Sequence, residues 1–136
     1  MTQTAKTYGI GELSVIVGGF LMEGIENISV EFPNDKASSF IDGSGNITRI
    51  LNAGHKYCEV TIALSQTSES NLEMQNLYDT DAIIPVIVKD QNGNSQFTVG
   101  EAFFMARPNS EFSKEDQNNR EWKLVGIAEI AIEGGN

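Results

Sequence analysis

The longest regular pattern in this chain is an alternation of side chains over residues 120–133. Side chains that alternate with period two point to opposite faces of a β-strand, so the run predicts a long strand with one buried face. The predicted buried face consists of Trp122, Leu124, Gly126, Ala128, Ile130 and Ile132. The opposite face mixes apolar residues with Glu129 and Glu133, which is unusual for a strand that meets only water.

Shorter segments repeat the pattern. Residues 13–17, 27–32 and 57–65 each alternate, and residues 83–89 and 96–105 are predicted to form a hairpin. Asn92-Gly93 predicts the turn of that hairpin, because both central positions need positive φ. The spacing of strands and turns is typical of an all-β domain.

The segment SESNLEMQNLYD predicts one helix at about residues 70–79, with Ser70 as N-cap and Glu73 completing a capping box. We therefore expect a mainly β fold, an antiparallel β-sandwich or barrel with one short flanking α-helix, in a single domain over residues 1–136. Polar composition predicts a flexible arm at about 33–56 and a charged loop at about 107–120.

The charge of the chain limits its partners. Nine basic and 19 acidic residues give a net charge of -10, and no basic cluster exists. Tight nucleic-acid binding depends on Lys and Arg that displace counterions, so DNA binding is excluded. A role in which DNA passes without adhering is still compatible with this charge.

The single cysteine and the apolar stretches indicate in which cellular compartment the protein is expected. One cysteine cannot form an internal disulfide, which fits a reducing cytoplasm. The N-terminus lacks the pattern of a signal peptide, and residues 13–22 are too short to span a bilayer. We expect an unsecreted protein without a membrane span.

His55 and Cys58 have the spacing of two metal ligands, but they are the only histidine and the only cysteine. A structural zinc site needs four ligands, so a turn histidine and a strand cysteine are the better interpretation. The same scarcity argues against nucleophilic catalysis, and no GxSxG motif is present. We predict no enzyme, no metal and no cofactor.

Four residues follow the spacing of a calcium loop, namely Asp90, Asn92, Asn94 and Glu101. The sixth position of such a loop requires glycine and is Ser95 here. The hairpin turn already accounts for these residues, so a calcium site is not expected.

The stretch VIVGGFLMEG contains adjacent glycines, Gly18 and Gly19. Phosphate-binding fingerprints need three spaced glycines before a helix, or a Lys-Ser/Thr ending, and neither is present. The pair instead predicts a bend between two strands, with Phe20 turning into the core or into a subunit contact.

Several stretches together resemble the tail-tube proteins of contractile-tailed phages. The resemblance begins with LSVIVGGFLMEGIENISVEF and continues through DGSGNITRI and CEVTIALSQTSESNLEMQNL. It ends with IIPVIVKDQNG and NNREWKLVGIAEIAIEGGN, so the set is collinear over nearly the whole chain.

The resemblance implies hexameric rings that stack into a hollow tube in the virion tail, assembled in the host bacterial cytoplasm. It also implies sheath, baseplate and tail-terminator proteins as partners, and DNA that passes through the lumen. Six copies at -10 each would carry -60 per ring, which repels phosphates. Two alternatives stay open: the inner tube of a bacteriocin or secretion device, and a carbohydrate-binding β-sandwich.

Five carboxylates are candidates for the lumen. Glu31, Asp35 and Asp42 are the first choices, and Glu129 and Glu133 the second. The alternative is that all five are ordinary solvated surface.

Replacement of Gly18 or Gly19 by Val tests the predicted bend. A β-branched side chain resists positive φ, so each variant is expected to impair folding or assembly, measured by thermal melting and electron microscopy. Normal assemblies from both variants would show that no bend depends on these glycines.

Overall fold

The computed structural model describes residues 13–90, 93–114 and 118–134. In chain order its elements are β1 Leu13–Val17, β2 Phe20–Leu21, β3 Ile25–Glu31, β4 Ala37–Ile41, β5 Ile47–Leu51, β6 Tyr57–Leu64, α1 Ser70–Asp79, β7 Ile84–Asp90, β8 Gln96–Ala106 and β9 Arg120–Ile132. Seven strands form one sheet in the order β2-β1-β7-β8-β9-β6-β3, and β4 and β5 form a separate hairpin. Every pairing is antiparallel. The predicted mainly β fold with one flanking helix is confirmed, and the sheet is curled into a half-barrel.

The curl is required by a short connector between the two edges of the sheet. Strands β2 and β3 lie at opposite edges, yet only Met22, Glu23 and Gly24 separate them. Six strand spacings in a flat sheet would put these edges about 29 Å apart. Four extended residue steps, from Leu21 to Ile25, span at most about 14 Å. The sheet must therefore bend until its edges approach each other.

Hydrogen bonds fix the connector against the segment that leads into α1. The Glu23 amide donates to Ser70 Oγ at 2.9 Å, and Ser68 Oγ donates to the Glu23 carbonyl at 2.5 Å. The Ser65 amide donates to the Gly24 carbonyl at 2.7 Å. These three hydrogen bonds hold the connector at Glu23 and Gly24 against residues 65–70.

The hydrophobic core fills the concave side of the curled sheet. Its fully buried members come from β1, β6, β7, β8, β9 and α1, and they include Val15, Val17, Ile62, Leu64, Met74, Val86, Val99 and Leu124. The helix covers this side through an aromatic cluster in which Tyr78, Phe104 and Trp122 have ring centroids 5.7–6.3 Å apart. The edge strand β3 reaches the same core, since its Ile28 and Val30 pack against it.

The predicted capping box at the start of α1 is wrong. The helix begins at Ser70, so the N-cap position is Glu69, and no side chain caps it. Ser70 is buried and its hydroxyl is already engaged by the Glu23 amide. The Ser70 amide is instead bound by Ser68 Oγ at 3.2 Å. The Ser70 hydroxyl therefore bonds to the connector and does not cap the helix as the local sequence had predicted.

The predicted single alternation through β9 is also wrong beyond Ala128. Thr98 pairs with Ile130 but Val99 pairs with Ala128, so β9 contains one extra residue at Glu129. Such a bulge reverses which side chains face the core. Ile130 therefore does not share a face with Trp122, as the uninterrupted pattern predicted.

Gly18 and Gly19 form the two-residue turn between β1 and β2. Their φ values are 58° and 86°, the left-handed region that a tight hairpin of this kind uses. Phe20, directly after the turn, is 44% exposed and does not enter the core. Of the predicted Asn92-Gly93 turn, Asn92 lies outside the described residues, but its flanking strands pair as far as Lys89 and Gln96.

The connector generates a prediction at Gly24. This residue has φ of 70°, and an added Cβ would lie 2.9 Å from the Cβ of Ser68. Gly24→Ala should lower the free energy of unfolding by about 1–3 kcal/mol, measured by denaturant unfolding.

Gly43→Ala is the matched control, because a Cβ at Gly43 meets nothing within 4 Å and its φ is not positive. Equal stability of the two variants would contradict the tight crossing described above.

Candidate assembly interface

The convex face of the sheet is divided into two regions of different chemistry. The polar half lies on β3, β6 and the first part of β9, and it comprises Asn27, Ser29, Glu31, Tyr57, Glu59, Thr61, Glu121 and Lys123. At its centre Lys123 Nζ lies 3.1 Å from Glu59 Oε2, and the Tyr57 hydroxyl donates to Glu59 Oε1 at 3.4 Å. Partial desolvation and the neighbouring Glu59 charge raise the pKa of Tyr57.

The other region is a line of side chains that runs across five strands. Register pairs connect Leu21 to Ile16, Ile16 to Ile87, Ile87 to Thr98, and Thr98 to Ile130. We call these five residues the apolar row. Their strand neighbours Val15, Val17, Val86, Val88 and Val99 are buried in the core, so the row faces the opposite, convex side.

None of the five row residues is fully buried. Leu21 is 58% exposed and Ile130 41%, and the other three are partly buried. The row contains no charged side chain, on a chain whose net charge is -10. It is therefore a part of the convex face with little affinity for water.

The hairpin of β4 and β5, residues 37–51, projects from the domain, and we call it the arm. It lies within the segment 33–56 that was predicted as a flexible arm, and all ten of its strand residues are exposed. One face presents Ile41, Ile47 and Leu51, which are 72%, 73% and 60% exposed. Isolated two-stranded hairpins are marginally stable in water, so the arm has an apolar surface without a cover in its own subunit.

Of the predicted charged loop, 107–120, the described parts 107–114 and 118–120 lie at one end of the polar half, beside Thr61 and Lys123. The Asn118 amide donates to Gln66 Oε1 at 3.2 Å, and Arg120 donates to the Asn109 carbonyl at 3.3 Å. The Arg120 guanidinium lies 5.1 Å from the ring centre of Phe112, which is still 81% exposed. A cation–π contact of this exposure is weak, so it leaves most of the Phe112 ring uncovered.

The five predicted lumen carboxylates do not lie on one surface. Glu31 belongs to the polar half and pairs in register with Glu59. Asp35 lies between β3 and the arm, and Asp42 is at the arm's tip, where its carboxylate accepts the amides of Ser44 and Asn46.

Glu129, in β9, and Glu133, directly after that strand, line one cleft together with Phe32 and Lys56. Glu129 lies at the register shift, with its carboxylate over Gly100. Glu133 lines a cleft on the concave side with Ile28, Val30 and Phe97. Only Glu31 therefore lies among other charged side chains of the convex sheet.

The residues considered as ligands are placed apart. His55 lies in a turn, with Nδ1 at 2.8 Å from the Asn52 carbonyl, whereas Cys58 is fully buried in the core. Across residues 13–90, 93–114 and 118–134, no group of three or more His, Cys, Asp or Glu side chains is positioned to hold a metal ion. Of the calcium-spaced set, Asn92 lies outside those ranges.

The surface also bears on the carbohydrate-binding alternative, which needs an exposed aromatic platform. Trp122 is 2% exposed, and its Nε1 donates to Asn71 Oδ1 at 3.1 Å. Tyr78 packs against the same indole. The aromatic cluster is thus part of the core, and it does not form a platform.

Sequence reasoning missed the apolar row, although a signal for it exists. Strands β1 and β7 both contain the triplet Val-Ile-Val, at residues 15–17 and 86–88. A strand that meets water on one face places a polar residue at the middle position. Ile16 and Ile87 occupy those positions, so at this point both faces of β1 and β7 are apolar.

No family model matches the chain. Its sequence is 25% identical to structural protein ORF10 of Pseudomonas phage KPP10, over the whole chain and 87% of that protein. The resemblance to phage tail structural proteins is confirmed.

The fold also matches solved structures. One is a chain of the PVC sheath–tube complex of an extracellular contractile injection system, with a TM-score of 0.63, 14% identity, and coverage of 95% of this chain and 93% of that one. A second is the tube-terminating cap of the anti-feeding prophage, with a TM-score of 0.59, 13% identity, and coverage of 93% and 92%. The half-barrel is thus a fold found in contractile injection systems. No helix in the described part of the chain is long and apolar enough to cross a membrane.

The burial of Cys58 generates a prediction. Desolvation raises the pKa of its thiol, so the reactive thiolate is scarcer at a given pH than for a free cysteine. The native protein should react with a thiol-specific reagent at pH 8 far more slowly than the protein in denaturant. Equal rates in the two conditions would contradict the placement of Cys58 in the core.

Proposed function

We propose that this chain is a structural subunit of a phage tail tube, which assembles as stacked hexameric rings around a channel for DNA. The observation that carries the proposal is the relationship to a phage structural protein over the entire chain. The fold supports it, because chains of a sheath–tube complex and of a tube cap share it over nearly their whole length.

The edges of the half-barrel supply a route to ring formation. In the described residues β3 pairs only with β6, so the other side of β3 has backbone N–H and C=O groups free for a further strand. An open edge is a hazard in a monomer and a joining surface in a polymer. A neighbouring subunit's strand at β3 would extend the sheet around the ring.

The polar half suits the wall of an aqueous channel. Glu31, Glu59 and Glu121 lie there, with Lys123 as the one basic side chain of that group. Carboxylates repeated around a ring repel the phosphates of DNA and keep it from adhering during passage. We assign Glu31 to the lumen on this basis, and Asp35, Asp42, Glu129 and Glu133 to other surfaces.

The proposal includes the surroundings of the tube. Tail sheath, baseplate and tail-terminator proteins would contact the assembled rings, and the subunit would have no catalytic activity. The location would be the virion tail, after assembly in the host bacterial cytoplasm. The inner tube of a bacteriocin or secretion device is the same proposal in a different particle.

A tube-capping role is a second candidate, favoured by the match to a tube-terminating cap. A cap and a tube subunit differ in how far they polymerise. A tube subunit adds rings on both faces, whereas a cap ends the stack.

Negative-stain electron microscopy of the purified protein tests both candidates. A tube subunit is expected to give hexameric rings and tubes of varied length, and a cap single rings only. A strictly monomeric species at high concentration would contradict the whole proposal.

A charge reversal tests the lumen assignment. Tubes of Glu31→Lys should retain a short fluorescent single-stranded DNA several-fold more than wild-type tubes at low salt, and the difference should fall as salt is raised. Asp79→Lys, on the exposed C-terminal turn of α1, is the control with the same charge change. Equal retention by both variants would place Glu31 outside the channel.

A further inference from the structure

The arm and the apolar row are two uncovered surfaces of the same chain. The arm exposes Ile41, Ile47 and Leu51 on one face. The row exposes part of each of its five side chains. Neither covers the other within one subunit, because all strand residues of the arm are exposed.

We propose that the arm of one copy packs across the apolar row of a second copy. This contact rests on the proposed tail-tube function only because both require that the chain assembles with itself. In this contact, side chains of the arm lie on side chains of the apolar row. The strand-to-strand joining at β3 is a separate contact.

The dimensions of the two surfaces agree. The row crosses five strands, which is four spacings or about 19 Å. Each strand of the arm has five residues and is about 17 Å long. An arm laid along the row would cross the underlying strands at a steep angle, as in orthogonal packing of two sheets.

The charges favour a second copy as the occupant. The arm, residues 37–51, contains one carboxylate, Asp42, and one cation, Arg49, so its net charge is zero. The whole chain has -10, so the remaining residues carry all of that charge. Two copies repel each other over most of their surfaces, and the neutral arm adds nothing to that repulsion.

The arrangement also accounts for the chemistry of the row. An uncharged row lets apolar side chains of the arm pack without burying an unpaired carboxylate, which would be costly. Arg49 lies between Ile47 and Leu51 on the same face of the arm. Its long side chain can lie along the row while the guanidinium reaches the acidic surface beside it.

The contact is heterologous, since it joins two different patches. Heterologous contacts repeat from copy to copy and produce closed rings or open stacks. Each copy gives one arm and accepts one, so no arm is left over inside the assembly. A second copy is therefore a sufficient partner, and no other protein is needed to cover the row.

Site-specific photo-crosslinking tests the proposal. A photoreactive amino acid replaces Ile47 in ¹⁵N-labelled protein, which is mixed with unlabelled protein at assembling concentration and irradiated. Mass spectrometry is expected to find labelled arm peptides joined to unlabelled peptides that contain Ile16, Ile87 or Ile130. Crosslinks from one arm to another, crosslinks to the polar half, or no intersubunit crosslink at all would overturn the proposal.

The two proposals fail in different ways. Rings or tubes with crosslinks away from the row would leave the tube function intact and reject the arm contact. Crosslinks to the row without rings would support the arm contact and count against the tube.

A pair of variants gives an independent measurement. Ile87→Glu places a carboxylate at the centre of the row, and Thr61→Glu places one on the polar half as the matched control. Ile87→Glu should reduce the assembled fraction by about tenfold or more, because an unpaired charge would be buried. Circular dichroism and thermal melting establish that both variants fold, and equal assembly of the two folded variants would reject the contact.

Discussion

The structure depends on one geometric constraint, the short connector between strands at opposite edges of the sheet. Three residues, Met22 to Gly24, cannot bridge the width of seven flat strands. The curl that follows creates the concave side, where the core and the helix lie. It also leaves the convex side open to solvent or to partners. The sheet thus has a concave and a convex face because only three residues connect β2 to β3.

The connector also accounts for the serine hydroxyls at 68 and 70, beside the start of the helix. Ser65, Ser68 and Ser70 all bond to Glu23 or Gly24, so they hold the crossing in place. Asn71 extends this network by donating to the Ser65 carbonyl at 2.8 Å while accepting from Trp122. The network links the crossing to the core aromatics. Closure of the half-barrel and packing of the helix therefore depend on one hydrogen-bond network.

Sequence reasoning identified the elements because alternation and the helix pattern are local properties. It placed the helix at residues 70–79 and the bend at Gly18 and Gly19, where the structure has a tight turn. It failed where a distant residue decides the outcome. The capping role of Ser70 was lost to Glu23, and the alternation of β9 was broken by the bulge opposite Thr98. No local pattern contains either partner.

The assembly surface also depends on residues that are distant in the sequence. Carboxylates such as Glu31 and Glu133 appear alike in the sequence, but the curl and the bulge send them to opposite sides of the sheet. The apolar row is assembled from five strands, so no segment contains more than one of its members except the turn region with Ile16 and Leu21. Surfaces with little charge are those at which two copies of a chain of net charge -10 repel each other little. The row and the arm are such surfaces, and only the folded register brings the members of the row together.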